Sequence, residues 1–370
     1  MPATGNSARD SRFAPAGAPI GGDKDMIAFI VVLATSLLLS LALTPLAARL
    51  GRRWGLVAVP DERRRHQGII PRSGGLAIYV SCAIAMLIIP FLPPEWMPPT
   101  PEGPDPNETT RLAGVLIGMT VLAAVGVVDD RKELSARAQF AAHLLAALIA
   151  IAFLIFIEVV NNPFTDQQVW ISWPLPILIT VFWITGMIST VNFLDGLDGL
   201  AAGVTAICSL ILTIHMVREQ QYSVALLPLA LFGAMAGFLP FNAHPARIFM
   251  GSGAHVVGYA LGTLSIIAGA RVATILLVMG IPIVDVAWQA YSRWRGGKAM
   301  GGADRGHLHY RLQDAGLSQR QIVAVYCLFS AAFGALALLL SHRIYKLGAL
   351  VILGGAALAL LFFTTRRAPR

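Results

Sequence analysis

Three polar clusters interrupt an otherwise apolar chain, and each has residue types and a spacing that suit chemistry. The first is Asp129-Asp130, which closes the run Val-Gly-Val-Val and precedes Arg131-Lys132. Adjacent carboxylates repel each other, and acids at the C-terminal end of a helix also oppose its macrodipole. A balancing cation is therefore expected, from Lys132 or a metal, unless the pair merely marks a helix end meeting water.

The second cluster is Asn192-Phe-Leu-Asp195-Gly-Leu-Asp198-Gly, continuing to Gly203. On a helix, Asp195 and Asp198 would share a face, and the glycines permit close backbone approach. A polar, glycine-rich break between two apolar runs suits backbone that lines an aqueous cavity. An ordinary acidic turn would not need so many special residues.

The third is His307-Leu-His309-Tyr310-Arg311, with further arginines close by. Zinc is not expected, since no cysteine or third histidine accompanies the pair. His and Arg together make a diphosphate site, Arg binding bidentately; contact with anionic lipid headgroups is the alternative. Two weaker signals complete the set. Gly251-Ser252-Gly253 before a helix can present backbone N–H groups to a phosphate. Arg72 ends a basic stretch that either steers a lipid phosphate or serves only to orient the chain.

The elements that must position these residues are membrane helices. The chain of 370 residues is 56% hydrophobic and 13% charged, with a net charge of +8. That charge fraction is about half that of a soluble domain, so the bilayer is the expected solvent. With about 20 apolar residues per crossing, eleven spans are predicted near 26–48, 74–92, 111–128, 138–159, 174–191, 200–217, 223–240, 255–270, 272–289, 321–341 and 345–364. The expectation is an all-α polytopic protein with one transmembrane domain over 26–364, a disordered tail over 1–25 and a short cytoplasmic tail over 365–370. Placing the N-terminus outside leaves 20 of the 28 Lys and Arg on the inner side, so an inside C-terminus is predicted. All three clusters, with Arg72 and Gly251, then face the cytoplasm. The basic residues lie in short loops between apolar runs, which argues for anionic lipid or phosphate partners rather than nucleic acid. Cys82, Cys208 and Cys327 lie in apolar runs and read as packing residues. Pro282 and Asp285 sit deeper; a wall of the reaction cavity is the favoured reading, although a proline-broken helix bearing an acid is also a transporter feature.

In this order, the motifs resemble the polyprenyl-phosphate N-acetylhexosamine-1-phosphate transferases, which include the phospho-N-acetylmuramoyl-pentapeptide transferases. The resemblance runs over about residues 27–340. It implies transfer of a sugar 1-phosphate, N-acetylglucosamine 1-phosphate above all, from a UDP-sugar to undecaprenyl phosphate in a bacterial inner membrane, starting a cell-envelope polysaccharide. By that resemblance Asp129, Asp130, Asp195 and Asp198 are catalytic, and Asn192 contributes to a Mg²⁺ site. His307, His309 and Arg311 match the family's histidine motif, which handles the nucleotide diphosphate, while Arg72, Ser252 and Gly253 stand as substrate contacts on the reading of their own loops. The resemblance also implies a homodimer. One departure stands out: the family's Gly-Asp-x-Gly-Ser run carries a Mg²⁺-ligating acid, whereas here Phe249-Met-Gly251-Ser252-Gly253-Ala-His255 has none. A silent relative acting as a scaffold and a secondary transporter are the competing functions.

Overall fold

A computed structural model describes residues 26–58, 68–98, 105–162, 164–165, 167–269, 272–297, 306–340 and 342–367. The expected disordered tail and most of the basic stretch before Arg72 lie outside them. The fold is mostly helical. Helix α1 (Ile27–Trp54) is followed by a two-residue antiparallel pair, β1 (Val57–Ala58) and β2 (Ile70–Pro71). Then come α2 (Gly74–Ile88), α3 (Glu108–Lys132) and α4 (Ala136–Ala152). A hairpin of β3 (Val159–Asn161) and β4 (Gln168–Trp170) leads to α5 (Leu175–Leu194), α6 (Leu200–Arg218), α7 (Tyr222–Asn242) and α8 (Gly253–Ile267). The rest is α9 (Val272–Val278), α10 (Gly280–Arg295), α11 (Leu308–Asp314), α12 (Gln319–Leu339) and α13 (Arg343–Arg367).

Among the described residues seven helices are long and apolar enough to cross a bilayer, or eight with α9 and α10 taken as one broken span. Two predicted spans are corrected. The stretch 138–159 stops being helical at Ala152, and its last residue, Val159, already belongs to the β3–β4 hairpin. The stretch 272–289 is two helices meeting at 85°. The cause is Pro282, which has no N–H for the carbonyl of Val278 four residues back. The hydroxyl of Ser330 on α12 donates to that carbonyl instead, at 2.9 Å, so the break is satisfied in the protein interior.

Helix α8 is the centre of the bundle: every one of its residues is buried, with α2, α3 and α5 packed round it. Helices pack this closely in a membrane where small residues let backbones approach. A Cβ on Gly258 would lie 2.6 Å from the Cα of Ile188 on α5, and one on Gly75 would lie 2.2 Å from the Cα of Gly253. The second crossing, α2 against α8, sets the site described next.

Candidate active site

The N-terminal end of α2 leaves backbone N–H groups that need acceptors. Gly74 and Gly75 donate to the carbonyls of Phe249 and Met250, at 3.0 and 2.9 Å, and Phe249 donates back to Pro71 at 2.8 Å. This pairing fastens the segment before α8 to the segment carrying Arg72. Gly251 then turns the chain with φ near 63°. A side chain there would run into the Arg72 carbonyl, 2.1 Å from the added Cβ.

Ser252 consequently faces the end of α3. Its hydroxyl donates at 2.8 Å to Asp129 and lies 3.0 Å from Asp130, and its N–H donates to Asp130 at 3.0 Å. The serine that stands where the family's acid was expected bridges the two carboxylates, and its N–H, expected for a phosphate, is directed at Asp130. The two acids are otherwise unlike. Asp129 is buried and accepts from Leu134 N at 2.8 Å and Gln139 Nε2 at 3.0 Å, locking the α3–α4 turn. Asp130 faces Arg72, whose Nη2 is 3.4 Å away. The balancing cation is therefore Arg72, not Lys132, which is exposed.

Asp129→Asn should act on stability first. Its new amide N–H₂ would face the donors Gln139 and Ser252, and a buried unsatisfied polar group costs about 1–3 kcal/mol. A melting midpoint lower than that of wild type in the same detergent is expected; an unchanged midpoint contradicts the locking role.

The second cluster is split as well. Asn192 lies in the last turn of α5 and Asp195 just beyond it. Neither side chain has a hydrogen-bond partner among the described residues. Burial pushes the Asp195 carboxyl well above the ordinary carboxylate range; Arg72 opposes the shift, and Asp130 and Asp198 add to it. Asp198 is already engaged, accepting from Ala246 N at 3.1 Å and lying 2.8 Å from His244 Nδ1. Asn242, buried, accepts from Gly199 N and donates to the Ile248 carbonyl. Asp198 and Asn242 thus hold the α7–α8 connection against the loop that carries Asp195.

The histidines come down on the same loop. His307 stacks on Phe193, ring centroids 5.0 Å apart, and on His309 at 5.7 Å. Tyr310 donates its hydroxyl to the Gly196 carbonyl at 3.3 Å. Behind His307, the buried Asp285 of α10 accepts from Leu308 N and lies 3.0 Å from His307 Nδ1. Gln289, one turn further along α10, donates to the Gly306 carbonyl. Arg311 lies on the same short helix, partly exposed. All the expected residues thus gather at one end of the bundle, formed by the last turns of α3 and α5 and the first turns of α2 and α8.

His309 is 1% exposed, and its Nε2 has no partner among the described residues. Burial, reinforced by His307, pushes its pKa down from 6.5 to about 3. A base depressed in the folded state is protonated first in the unfolded chain, so its contribution is intact above pH 6.5 and is lost as pH falls toward 3. The wild-type melting midpoint should accordingly fall over that window more steeply than that of His309→Gln. Parallel curves would contradict the burial of a neutral ring.

Sequence reasoning missed Gln139, Phe193, Asn242 and Gln289. Each is polar or aromatic within an apolar stretch, and only the fold shows what each of them touches.

A helical membrane bundle with carboxylates, an arginine and histidines converging at one end defines an integral-membrane enzyme of phosphate chemistry. The profile of glycosyl transferase family 4 matches residues 112–269. A Mycolicibacterium smegmatis protein named decaprenyl-phosphate N-acetylglucosaminephosphotransferase is 33% identical over 312 residues, covering 76% of this chain and 75% of that one. The probable undecaprenyl-phosphate N-acetylglucosaminyl 1-phosphate transferase of Bacillus subtilis is 29% identical over 89% of this chain and 90% of its own. The phospho-N-acetylmuramoyl-pentapeptide-transferase of Geobacillus kaustophilus is 30% identical over 81% and 93%. The chain belongs to glycosyl transferase family 4.

Proposed function

We propose that this protein transfers N-acetylglucosamine 1-phosphate from UDP-N-acetylglucosamine to undecaprenyl phosphate, at the cytoplasmic face of a bacterial inner membrane. The observation that carries the reading is the convergence of Asp130, Arg72 and Asp195 with the His307–His309 pair at one end of the bundle. The names of the relatives fix the reaction class. Counting the shorter α4 and α8, the broken α9–α10 pair and α13 as crossings gives eleven spans. With the N-terminus outside, that arrangement has this end of the bundle in the cytoplasm, where nucleotide sugars are available, and a homodimer is the assembly that family analogy suggests.

In the reaction, an oxygen of the lipid phosphate attacks the β-phosphorus of the donor in line. The bond from that phosphorus to the α–β bridging oxygen breaks, and UMP leaves with the oxygen. A phosphate monoester has its second pKa near 6, so the attacking dianion is already populated and Asp130 need only bias the proton equilibrium. Arg72 holds the Asp130 carboxylate and adds positive charge where the lipid phosphate would approach. His307, His309 and Arg311 bind the diphosphate and the charge that develops on the departing UMP.

Asn192 and Asp195 fit a Mg²⁺ site. They are oxygen donors without hydrogen-bond partners among the described residues, and Asp195 stands near two other carboxylates, Asp130 and Asp198, with Arg72 acting against them. Among the described residues no three acidic, histidine or cysteine side chains form a cation site unaided. Mg²⁺ bound through one or two protein oxygens commonly completes its shell with substrate phosphates and water. When bound, the cation would neutralise the donor's diphosphate.

The acids cluster at helix ends instead of at mid-membrane depth, which disfavours a transporter. Turnover separates the enzyme from a silent scaffold. The test is to incubate purified protein with labelled UDP-N-acetylglucosamine and undecaprenyl phosphate, then analyse the extracted lipid by mass spectrometry. Undecaprenyl diphosphate-linked N-acetylglucosamine is expected; a lipid that acquires no sugar phosphate from this donor or other UDP-N-acetylhexosamines contradicts the proposal.

A further inference from the structure

Asp285 lies outside the motifs that suggested the reaction, in the apolar run Gly-Ile-Pro-Ile-Val-Asp at the start of α10. It is 4% exposed, so its carboxylate must be compensated within the protein. Both oxygens are used on the histidine segment: Oδ1 accepts from the N–H of Leu308, and Oδ2 is 3.0 Å from Nδ1 of His307. We infer that Asp285 is a positioning residue for the transfer reaction: it fixes the His307 ring so that Nε2 is presented to the diphosphate of the nucleotide sugar. The inference rests on the reading of His307 as a diphosphate ligand.

The geometry leaves the ring little freedom. One face stacks on Phe193 with an interplanar angle of 28°, and His309 lies parallel at 8°. With those contacts setting the plane, the Asp285 carboxylate sets which nitrogen points inward. A carboxylate only accepts, so Nδ1 carries the proton and donates it. Nε2 is then the ring nitrogen left for a ligand, with no partner among the described residues, and toward a phosphate oxygen it must donate, so the phosphate-bound ring carries a proton on both nitrogens. The negative charge of Asp285 also supports a positive ring, and a charge-assisted hydrogen bond to a phosphate is about twice as strong as a neutral one. Gln289 holds the neighbouring Gly306 carbonyl from one turn further along the same helix. Helix α10 thus carries a two-point clamp on the histidine segment, and the break at Pro282 turns that helix toward the segment.

A simple helix cap would also explain a buried aspartate, and one variant separates the two roles. Asp285→Asn keeps an oxygen that can accept from Leu308 N. It puts an amide N–H₂ opposite His307 Nδ1, which must then accept, so the ring is held neutral: Nε2–H can still donate to the diphosphate, but without the positive charge that the carboxylate supports. The experiment is equilibrium binding of UDP, with Mg²⁺ in the buffer, to the full-length protein in detergent. Wild type, Asp285→Asn, His307→Ala and the double variant are compared. His307→Ala should weaken binding by about tenfold or more, as loss of a hydrogen bond to a charged group does. Asp285→Asn should show a several-fold loss, because a charge-assisted bond becomes a neutral one, and the double variant should bind no more weakly than His307→Ala. Asp285→Glu, which keeps the carboxylate on a longer arm, should show a smaller loss that also vanishes when His307 is absent, and it serves where the Asn variant does not fold. Wild-type affinity in Asp285→Asn, or the same loss repeated on the His307→Ala background, overturns the inference. Wild-type affinity in His307→Ala itself removes the reading of His307 on which the inference stands.

Discussion

Asp130→Asn should lower turnover by about 10²–10⁴-fold, the range for loss of a positioned proton-transfer group, with little change in the melting midpoint. The amide oxygen can still accept from Ser252 N, now 3.0 Å from the carboxylate, so the loop before α8 keeps its anchor. What is lost is the charge facing Arg72 and the basicity available to the lipid phosphate. The neighbouring acid gives the control. Asp129 is used up by Leu134, Gln139 and Ser252, so its Asn variant should lose stability before rate. Turnover near wild type in both variants would remove the base role from this pair.

Gly196→Ala should cost about 10²-fold in kcat without touching any charged group. A Cβ at residue 196 would stand 2.4 Å from His309 Nε2 and 2.9 Å from the Tyr310 hydroxyl. Those contacts are closer than packed atoms allow, so the helix bearing His309, Tyr310 and Arg311 must move back. A misplacement of about 1 Å in a positioning group costs on the order of 10²-fold. The loss should be confined to steps that involve the nucleotide, so affinity for UDP should fall alongside the rate. Normal kcat in this variant would mean that the histidine segment does not work in contact with the loop carrying Asp195.

The chemistry-bearing clusters were legible in the sequence because each breaks an apolar pattern: Asp129-Asp130 after a valine run, Asn192 to Asp198 between two spans, the histidines among arginines. The helices were legible for the same reason, with span boundaries mostly near those found. What could not be read is which partner each polar group takes. Lys132 is close to Asp129 in sequence, but Arg72 supplies the charge, because α2 enters beside α8 and brings with it Arg72 from the short link between β2 and α2. Ser252 looked like a lost metal ligand or a phosphate cradle, and the fold makes it the bridge between two acids. Periodicity also saw 272–289 as one span, since a proline break and an unbroken helix have the same apolar content. The hairpin of β3 and β4 escaped notice because its strands are only three residues each, too short for an alternating pattern to register.

The most direct test of the account is UMP release by purified protein supplied with UDP-N-acetylglucosamine and undecaprenyl phosphate, with Mg²⁺ and after chelation. The account predicts UMP formed only when the lipid phosphate is present, and abolished by chelation, because Asn192 and Asp195 with the donor's phosphates would hold the cation. Release that persists after chelation would contradict the assigned metal site. No release from this donor or other UDP-N-acetylhexosamines would contradict the transferase itself.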